Sequence, residues 1–419
     1  MKRHNFQNIN FNQLGVILIL LCMILIPGAM FATEQKQPRI SRQQLRQMVK
    51  NLAQENDPEL RKAKIREIHE TYGKPWLKAV TKNTQYQPPG QQGPTTKEYV
   101  FKRVPQRQLK IFVDFPPGWK PTDRRAAIVF WHGGGFTQGN AGQFFHQAQY
   151  FTKRGLVVAR PEYRIRDLDG SLPHEAAEDG ISAMRWFKAQ AGEFGIDPKR
   201  VAAGGGSASG CMASIVGTID YKQFAELGYV GKQDDRSISP RPCAMILYNP
   251  FVDFFEPLND RHLWEECVML GRDPFELEPV YHVISAIEHL HRKSPPSIIM
   301  FGTKDAFYPQ QIRWIVKCRE LGLNCHDYVY KGEVHSWYNN SPHVEYTTAN
   351  VDKFLVEVGL LEEAPKVELP HKVIGAGRTA IQSQKYSKKT DWDEQPRFRR
   401  YVEEHNIKLI PFKHYEKKQ

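Results

Sequence analysis

Hydrophobic positions along the chain follow two rhythms, a four-residue spacing and short unbroken runs, and the two alternate. Leu45, Met48, Val49, Leu52 and Ala53 recur at i, i+3, i+4, i+7 and i+8 behind Ser41-Arg42-Gln43-Gln44, a capping box, which predicts an amphipathic helix. Asp57-Pro58 supplies a cap and first residue for a second helix carrying Leu60, Ala63, Ile68 and Tyr72, expected to end at Gly73 and Pro75. Pro88-Pro89-Gly90 and Gly93-Pro94 then mark residues 85–96 as a linker. Two β-rich runs, Lys97–Val104 and Leu109–Phe115, flank Pro105-Gln106-Arg107-Gln108 and predict a hairpin.

Beyond the hairpin the unbroken runs dominate. Ala126–Trp131, Gly155–Ala159, Arg200–Ala203, Ala244–Tyr248, Ser297–Phe301 and Cys325–Tyr330 read as buried parallel strands, because a strand covered on both faces needs no polar alternation. Helical spacing covers Gln147–Arg154, Glu175–Phe194 and Tyr346–Val358. Strands alternating with helices predict an α/β fold, a mostly parallel central sheet flanked by helices with right-handed crossovers. Residues 251–296, rich in Phe, Trp, Leu, Glu and His, read either as the wall of a substrate pocket or as helical packing. From 364 to 419 the pattern breaks up around Pro365, Pro370, Gly375 and Gly377, with 13 Lys and Arg against 7 Asp and Glu. Phe398–Ile407 and Leu409–Phe412 have helix and strand patterns, but a basic arm on the surface is the default.

Composition changes this picture mainly at the N-terminus. Lys2, Arg3 and His4 precede an apolar run from Leu14 to Ile26 and a small-residue stretch ending at Ala32, the layout of an export signal cleaved near Ala32. The run is too short for a comfortable span of about 20 residues, so an uncleaved anchor is the lesser alternative. The expected location is periplasmic or extracellular, with no stable membrane insertion after cleavage. The net charge of +12 bears on association rather than fold, and without a dense Lys/Arg block it points to no nucleic-acid partner. Of the six cysteines, Cys22 leaves with the signal. Cys211 and Cys243 sit in apolar contexts as core thiols, and Cys318 and Cys325 could bridge a helix end to the next strand. No metal-ligand spacing occurs, and no cofactor is implied. The residues carry no reading of the oligomeric state.

The chemistry centres on Gly204-Gly205-Gly206-Ser207-Ala208-Ser209-Gly210, small residues around a hydroxyl between a β-branched run and a helix-compatible one. This is the form of a nucleophile elbow. The positions two before and two after the nucleophile must be small, which favours Ser207 over Ser209. A serine hydroxyl needs an imidazole to take its proton and a carboxylate to hold that imidazole. Asp305 and His335 each follow a predicted strand on a short loop, in the order the elbow requires. The amide of Ala208, at the start of the next helix, and the glycine run after His132 offer donors for a developing oxyanion. Phe136, Phe307, Trp337 and Tyr338 lie near these motifs and either line an acyl or sugar site or pack the loops.

Taken together, Trp131-His132-Gly133-Gly134-Gly135-Phe136, Glu162-Tyr163-Arg164, the run Glu178–Trp186, Gly195-Ile196-Asp197-Pro198 and the Gly-x-Ser elbow resemble the hormone-sensitive-lipase-like α/β-hydrolases, which include bacterial acetyl- and feruloyl-esterases. The resemblance implies the α/β-hydrolase fold, Ser207 as nucleophile, Asp305 as acid, His335 as base, and oxyanion amides from Gly133, Gly134 and Ala208. It departs from the family pattern at Ser209, Glu162 and Ser336. The expected organisation is a signal at 1–32, a helical extension and linker at 33–95, a catalytic domain at 96–362 and a basic extension at 363–419. The expected activity is hydrolysis of short-acyl or carbohydrate-linked esters, small-molecule or polysaccharide. A prolyl-oligopeptidase-like peptidase and a non-catalytic carbohydrate-binding protein are the alternatives.

Overall fold

The computed structural model describes residues 39–82, 93, 95–255, 262–363, 367–373 and 391–411. The chain divides into two units, Met1–Ile40 and Ser41–Gln419, and of the first only Arg39 and Ile40 are described. The signal-like segment and nearly all of the linker at 85–96 lie outside the described residues. Among the described residues no helix is long and apolar enough to cross a membrane.

The second unit opens with α1 (Arg42–Leu52), where the Ser41 hydroxyl accepts the Gln44 N–H and the Gln44 side chain accepts the Ser41 N–H. Asp57 caps α2 (Pro58–Ile68) by accepting from Glu59 and Leu60. The chain does not stop at Gly73 and Pro75 as expected. It runs through a single wide turn, His69–Gly73, into α3 (Lys74–Lys82). Gly73 lies against the Met269 carbonyl, where a Cβ would collide, and Pro75 falls in a first turn, where its missing N–H costs little.

The sheet is built from β1 (Thr96–Arg103), β2 (Gln108–Asp114), β3 (Arg125–Phe130), β4 (Val157–Pro161), β5 (Ile196–Gly206), β6 (Met245–Tyr248), β7 (Ser297–Gly302), β8 (Cys325–Tyr330) and β9 (Leu409–Ile410), in the order β1-β2-β4-β3-β5-β6-β7-β8-β9. Strands β1–β2 and β2–β4 pair antiparallel, and every other pair is parallel. The helices α4 (Phe145–Lys153), α5 (Pro173–Ala189), α6 (Ala208–Thr218), α7 (His262–Met269), α8 (Pro274–Ile284), α9 (Tyr308–Glu320), α10 (His343–Glu357) and α11 (Pro396–Glu404) follow. Because successive strand residues face opposite sides, β3 feeds two cores. Ala127, Val129 and Trp131 enter one with α5, α6 and α9, while Ala126, Ile128 and Phe130 enter the other with α4 and α10.

Residues 251–296 contain α7 and α8, and this stretch binds the N-terminal helices. Val49, Leu52 and Ile65 pack against Val268, Trp264 and Phe275, and Arg46–Glu265 (3.1 Å), Arg61–Asp273 (2.8 Å) and Lys62–Glu276 (2.9 Å) tie the two layers. The C-terminal stretch differs from the surface arm expected by default. Over 391–411 it forms α11 and β9, places Val402 and Ile407 in the core, and pairs β9 with β8. The physical reason is twofold: Phe398, Val402 and Ile407 need apolar cover, and β8 would otherwise be an open edge. All five cysteines from Cys211 onward are free thiols. Cys318 and Cys325 lie in thiol–thiol hydrogen-bond contact, which pushes the Cys318 thiol up.

Candidate active site

Strand β5 ends at Gly206 and α6 begins at Ala208, leaving Ser207 alone to reverse the chain. It does so at φ 58° and ψ −122°, a conformation that costs a non-glycine residue on the order of 1–3 kcal/mol unless its surroundings impose it. The Ser207 N–H donates to the Tyr248 carbonyl at 2.9 Å, and its carbonyl accepts the Cys211 N–H at 3.0 Å. Ser209, fully buried, closes the turn from inside: its Oγ accepts the Gly206 N–H at 2.8 Å and donates to the Gly206 carbonyl at 2.9 Å. The neighbouring glycines leave no room for side chains. A Cβ on Gly205 would stand 2.6 Å from the Ser209 carbonyl oxygen, and one on Gly206 would collide with Tyr338 Oη. The structure therefore gives the two serines separate work, and it is Ser207 whose hydroxyl reaches an imidazole.

That imidazole is His335, whose Nε2 lies 2.8 Å from Ser207 Oγ and whose Nδ1 lies 2.9 Å from Asp305 Oδ2. With Nδ1–H donating to the carboxylate, Nε2 is left to accept the serine proton. Asp305 and His335 are almost wholly buried, at 0% and 1% exposure, so water competes little with these bonds. The carboxylate is filled on both oxygens: Phe307 N–H donates to Oδ1 at 2.8 Å, Asn249 Nδ2 to Oδ2 at 2.6 Å, and Gln311 Nε2 to Oδ2 at 3.4 Å. Asn249 sits at φ 42° just past β6, a left-handed position that an asparagine tolerates.

On the other side of Ser207, His132 lies two residues past β3 and the glycine run turns away from it. Gly133 passes so close to the elbow that a Cβ would stand 2.6 Å from the Gly206 carbonyl. The His132 ring stacks on Tyr163 at 4.3 Å and bonds the Gly133 carbonyl at 2.9 Å, and burial pushes it down to about 4, which leaves it neutral. Tyr163 Oη donates to the His132 carbonyl at 2.6 Å. The expectation for Gly133 needs correction: its N–H donates to Gln143 Oε1 and is already engaged. Gln143 Nε2 in turn donates to Asn339 Oδ1 at 3.0 Å and Tyr338 Oη at 3.3 Å, joining this loop to the one after His335. Among the described residues no hydrogen bond uses the N–H of Gly134, Gly135 or Ala208. Gly134 and Gly135 hold φ of 123° and 67°, which glycine alone adopts without strain.

Of the four aromatic candidates, Phe307 meets the His335 ring edge-on at 5.3 Å, and Phe136 follows the glycine run against Tyr163 at 6.1 Å. Trp337 and Tyr338 are not pocket walls. A tight turn over Trp337–Asn339 tucks both into the core, Trp337 against Tyr330 and His343, Tyr338 against Tyr248 and Phe144. Among the described residues no group of three or more His, Cys, Asp or Glu side chains is placed to share a metal ion.

Known proteins resemble this chain in sequence and in fold. The family model described as BD-FAE matches residues 116–313. Lipase 2 of Moraxella sp. is 24% identical over 247 residues, covering 52% of this chain and 56% of its own, and Esterase LipC of Mycobacterium tuberculosis is 26% identical over 219 residues, covering 47% and 49%. The chain thus spans about half the length of these curated relatives. A thermophilic esterase from the Planctomycetes species Thermogutta terrifontis, Est2, solved with butyrate bound, is 31% identical, with a TM-score of 0.57 and coverage of 65% of this chain and 97% of its own. Its propionate-bound structure is 30% identical at the same TM-score and the same coverage. The chain belongs to the α/β-hydrolase esterase family.

As an α/β-hydrolase esterase, the chain makes its three departures from the family pattern explicable. Ser209 replaces empty space with a hydroxyl that closes the elbow. Glu162 accepts from the Lys110 N–H at 3.0 Å and Arg107 Nη1 at 2.7 Å, fastening the loop after β4 to β2. Ser336 stands at φ 64°, where glycine would be unstrained. Sequence reasoning missed Asn249, Gln311, Gln143 and Trp392. The first two are single amides at element ends, with no spacing to mark them; Asn249 follows a buried strand directly, the one cue available.

Proposed function

We propose that this protein is a serine carboxylesterase in which Ser207 attacks the ester carbonyl, His335 moves the proton and Asp305 orients His335. The observation that carries this reading is the unbroken chain Ser207 Oγ, His335 Nε2, His335 Nδ1, Asp305 Oδ2, at 2.8 and 2.9 Å, on a strained elbow. In acylation, Nε2 takes the hydroxyl proton as Oγ bonds to the carbonyl carbon; the tetrahedral intermediate collapses, and the alcohol leaves with the proton from Nε2. Water then attacks the acyl-serine with His335 again as base, and the acid departs. The N–H groups of Ala208, Gly134 and Gly135 receive the oxyanion, Gly135 in place of Gly133. Each such donor contributes about 2.7–4 kcal/mol in other enzymes.

Short acyl groups are the acyl side of the proposal, since the Thermogutta terrifontis esterase was solved with propionate and with butyrate bound. Export is the second part, resting on the basic, apolar and small-residue order of residues 2–32. An exported enzyme meets its esters outside the cytoplasm, which makes sugar hydroxyls the alcohol side of the proposal.

Hydrolysis of p-nitrophenyl acetate, propionate, butyrate and octanoate by wild type and Ser207→Ala tests the reading. The expected outcome is turnover falling with chain length beyond butyrate, and loss of kcat by roughly 10⁶-fold in the variant. Undiminished hydrolysis by Ser207→Ala would overturn the assignment.

A further inference from the structure

The segment after residue 390 lies far outside the residues matched by the family model, yet it reaches the back of the site. Trp392 Nε1 donates to the main-chain carbonyl of Asp305 itself, at 2.7 Å. The Trp392 N–H donates to the Thr303 carbonyl at 2.9 Å. Thr303, fully buried, donates its hydroxyl to the Asp391 carboxylate and accepts the Gly332 N–H at 2.8 Å. One hydroxyl thus ties three pieces of chain: the loop two residues before Asp305, the loop three residues before His335, and the C-terminal segment.

A second anchor reinforces the first. Strand β9 pairs with the last residues of β8, Val329 with Leu409 and Tyr330 with Ile410, and the Lys331 N–H donates to the Ile410 carbonyl at 2.9 Å. Lys331 Nζ stands 3.4 Å from Asp393. Between the anchors Phe398 packs edge-on against Trp392 at 4.9 Å and against Tyr308, the residue that begins the helix after Asp305. Asp305 and His335 come from loops on adjacent strands, and the alignment of carboxylate and imidazole depends on where those loops sit relative to each other. A tether that grips both loops fixes that relation, whereas side-chain donors such as Asn249 and Gln311 hold only the carboxylate.

We propose that the C-terminal segment 391–411 positions the acid–base pair, with Trp392 as the positioning residue that acts through the Asp305 main chain. This rests on the assignment of Asp305 and His335 to the esterase reaction. The segment touches no reacting atom. Its effect is to hold the carboxylate square to Nδ1, so that the imidazole keeps the tautomer with a free Nε2 and its protonated form stays stabilised during transfer.

Trp392→Phe keeps an aromatic ring at the position and removes the indole N–H with the pyrrole half of the bicycle. The expected result with p-nitrophenyl acetate is a fall in kcat on the order of 10-fold with KM unchanged. The ascending limb of the kcat/KM pH profile should move to lower pH, because a less well placed carboxylate stabilises the imidazolium less. The low-field proton resonance of the His335–Asp305 hydrogen bond should shift upfield or broaden. Val49→Ala, a buried change in the N-terminal helices far from this segment, should lower Tm while leaving kcat and the pH profile at 25 °C as in wild type. If Trp392→Phe lowers only Tm, with kcat, pH profile and low-field resonance unchanged, the segment is merely structural and the proposal falls. The resonance needs no turnover, so it tests the tether even if the esterase reading itself fails in the Ser207→Ala experiment. Should Trp392→Phe not fold, Thr303→Val against Thr303→Ser makes the same comparison: loss in the valine variant with recovery in the serine variant supports the tether, and equal values in both overturn it.

Discussion

The turn at Ser207 and the first amide of the glycine loop are closed by side chains close in sequence, whereas Asp305 also takes donors from distant parts of the chain. The elbow is closed by Ser209 bonding Gly206 three residues away, and the loop amide of Gly133 is taken by Gln143 ten residues on. Asp305 takes local donors too, from Phe307 and Gln311, but it adds Asn249, 56 residues before it, on the carboxylate and Trp392, 87 residues after it, on the main-chain carbonyl. The difference follows from what each half must do. A strained turn needs local constraint, which short-range bonds supply; a carboxylate and an imidazole on separate loops need a common reference, which groups spanning both provide.

The sharpest test of the second half is Asp305→Asn, which keeps the packing and removes the charge. Its kcat toward p-nitrophenyl acetate should fall about 10⁴-fold with KM little changed; a fall under tenfold would mean that the acid half contributes little. Next comes Asn249→Ala, which deletes the 2.6 Å donor to Oδ2 and should lower kcat by roughly 10- to 100-fold. The elbow half should answer differently. Ser209→Ala leaves the buried Gly206 N–H without its partner and should cost about 1–3 kcal/mol in denaturant unfolding, with kcat changed far less than in Asn249→Ala. If Ser209→Ala instead cost activity and no stability, the division between the halves would fail.

The smallest effect belongs to the loop between β8 and His335. Burial pushes the Glu333 carboxyl up to about 7, Lys304 pulling the other way, and among the described residues its Oε1 has no hydrogen-bond partner, with His343 Nε2 3.7 Å off. The unfolded chain titrates this group near 4.5. Between those values the folded state binds the proton more tightly, so this carboxyl's contribution to stability falls as pH rises through the window. Glu333→Gln has no such group, and its Tm relative to wild type should rise by about 2–4 °C from pH 5 to pH 8. A difference independent of pH would exclude the buried carboxyl as its source.

How much of this was legible beforehand varies with the range of the interactions. The strands from Ala126 onward, the elbow and the places of Asp305 and His335 could be read because runs, small residues and strand-end loops are local patterns. The choice of Ser207 over Ser209 was a local steric argument of the same kind. Two expectations gave way to packing, the end of the second helix at Gly73 and the surface arm at the C-terminus, and of the two readings open for Trp337 and Tyr338 packing prevailed. In each case the residue type was compatible with both outcomes, and a partner distant in sequence decided: the Met269 carbonyl, the open edge of β8, and the core formed by Tyr248, Phe144 and Tyr330.

The sequence by itself determined the α/β layering and the reversing turn at Ser207, because steric limits on a tight turn and the period of buried strands are properties of neighbouring residues. The tertiary structure alone decided that Gln143 takes the Gly133 N–H, that Asn249 and Gln311 fill the Asp305 carboxylate, and that Trp392 grips the Asp305 carbonyl. Each of those is a directional bond between groups brought together only by the fold, and hydrogen-bond geometry leaves no mark on the spacing of residues along a chain.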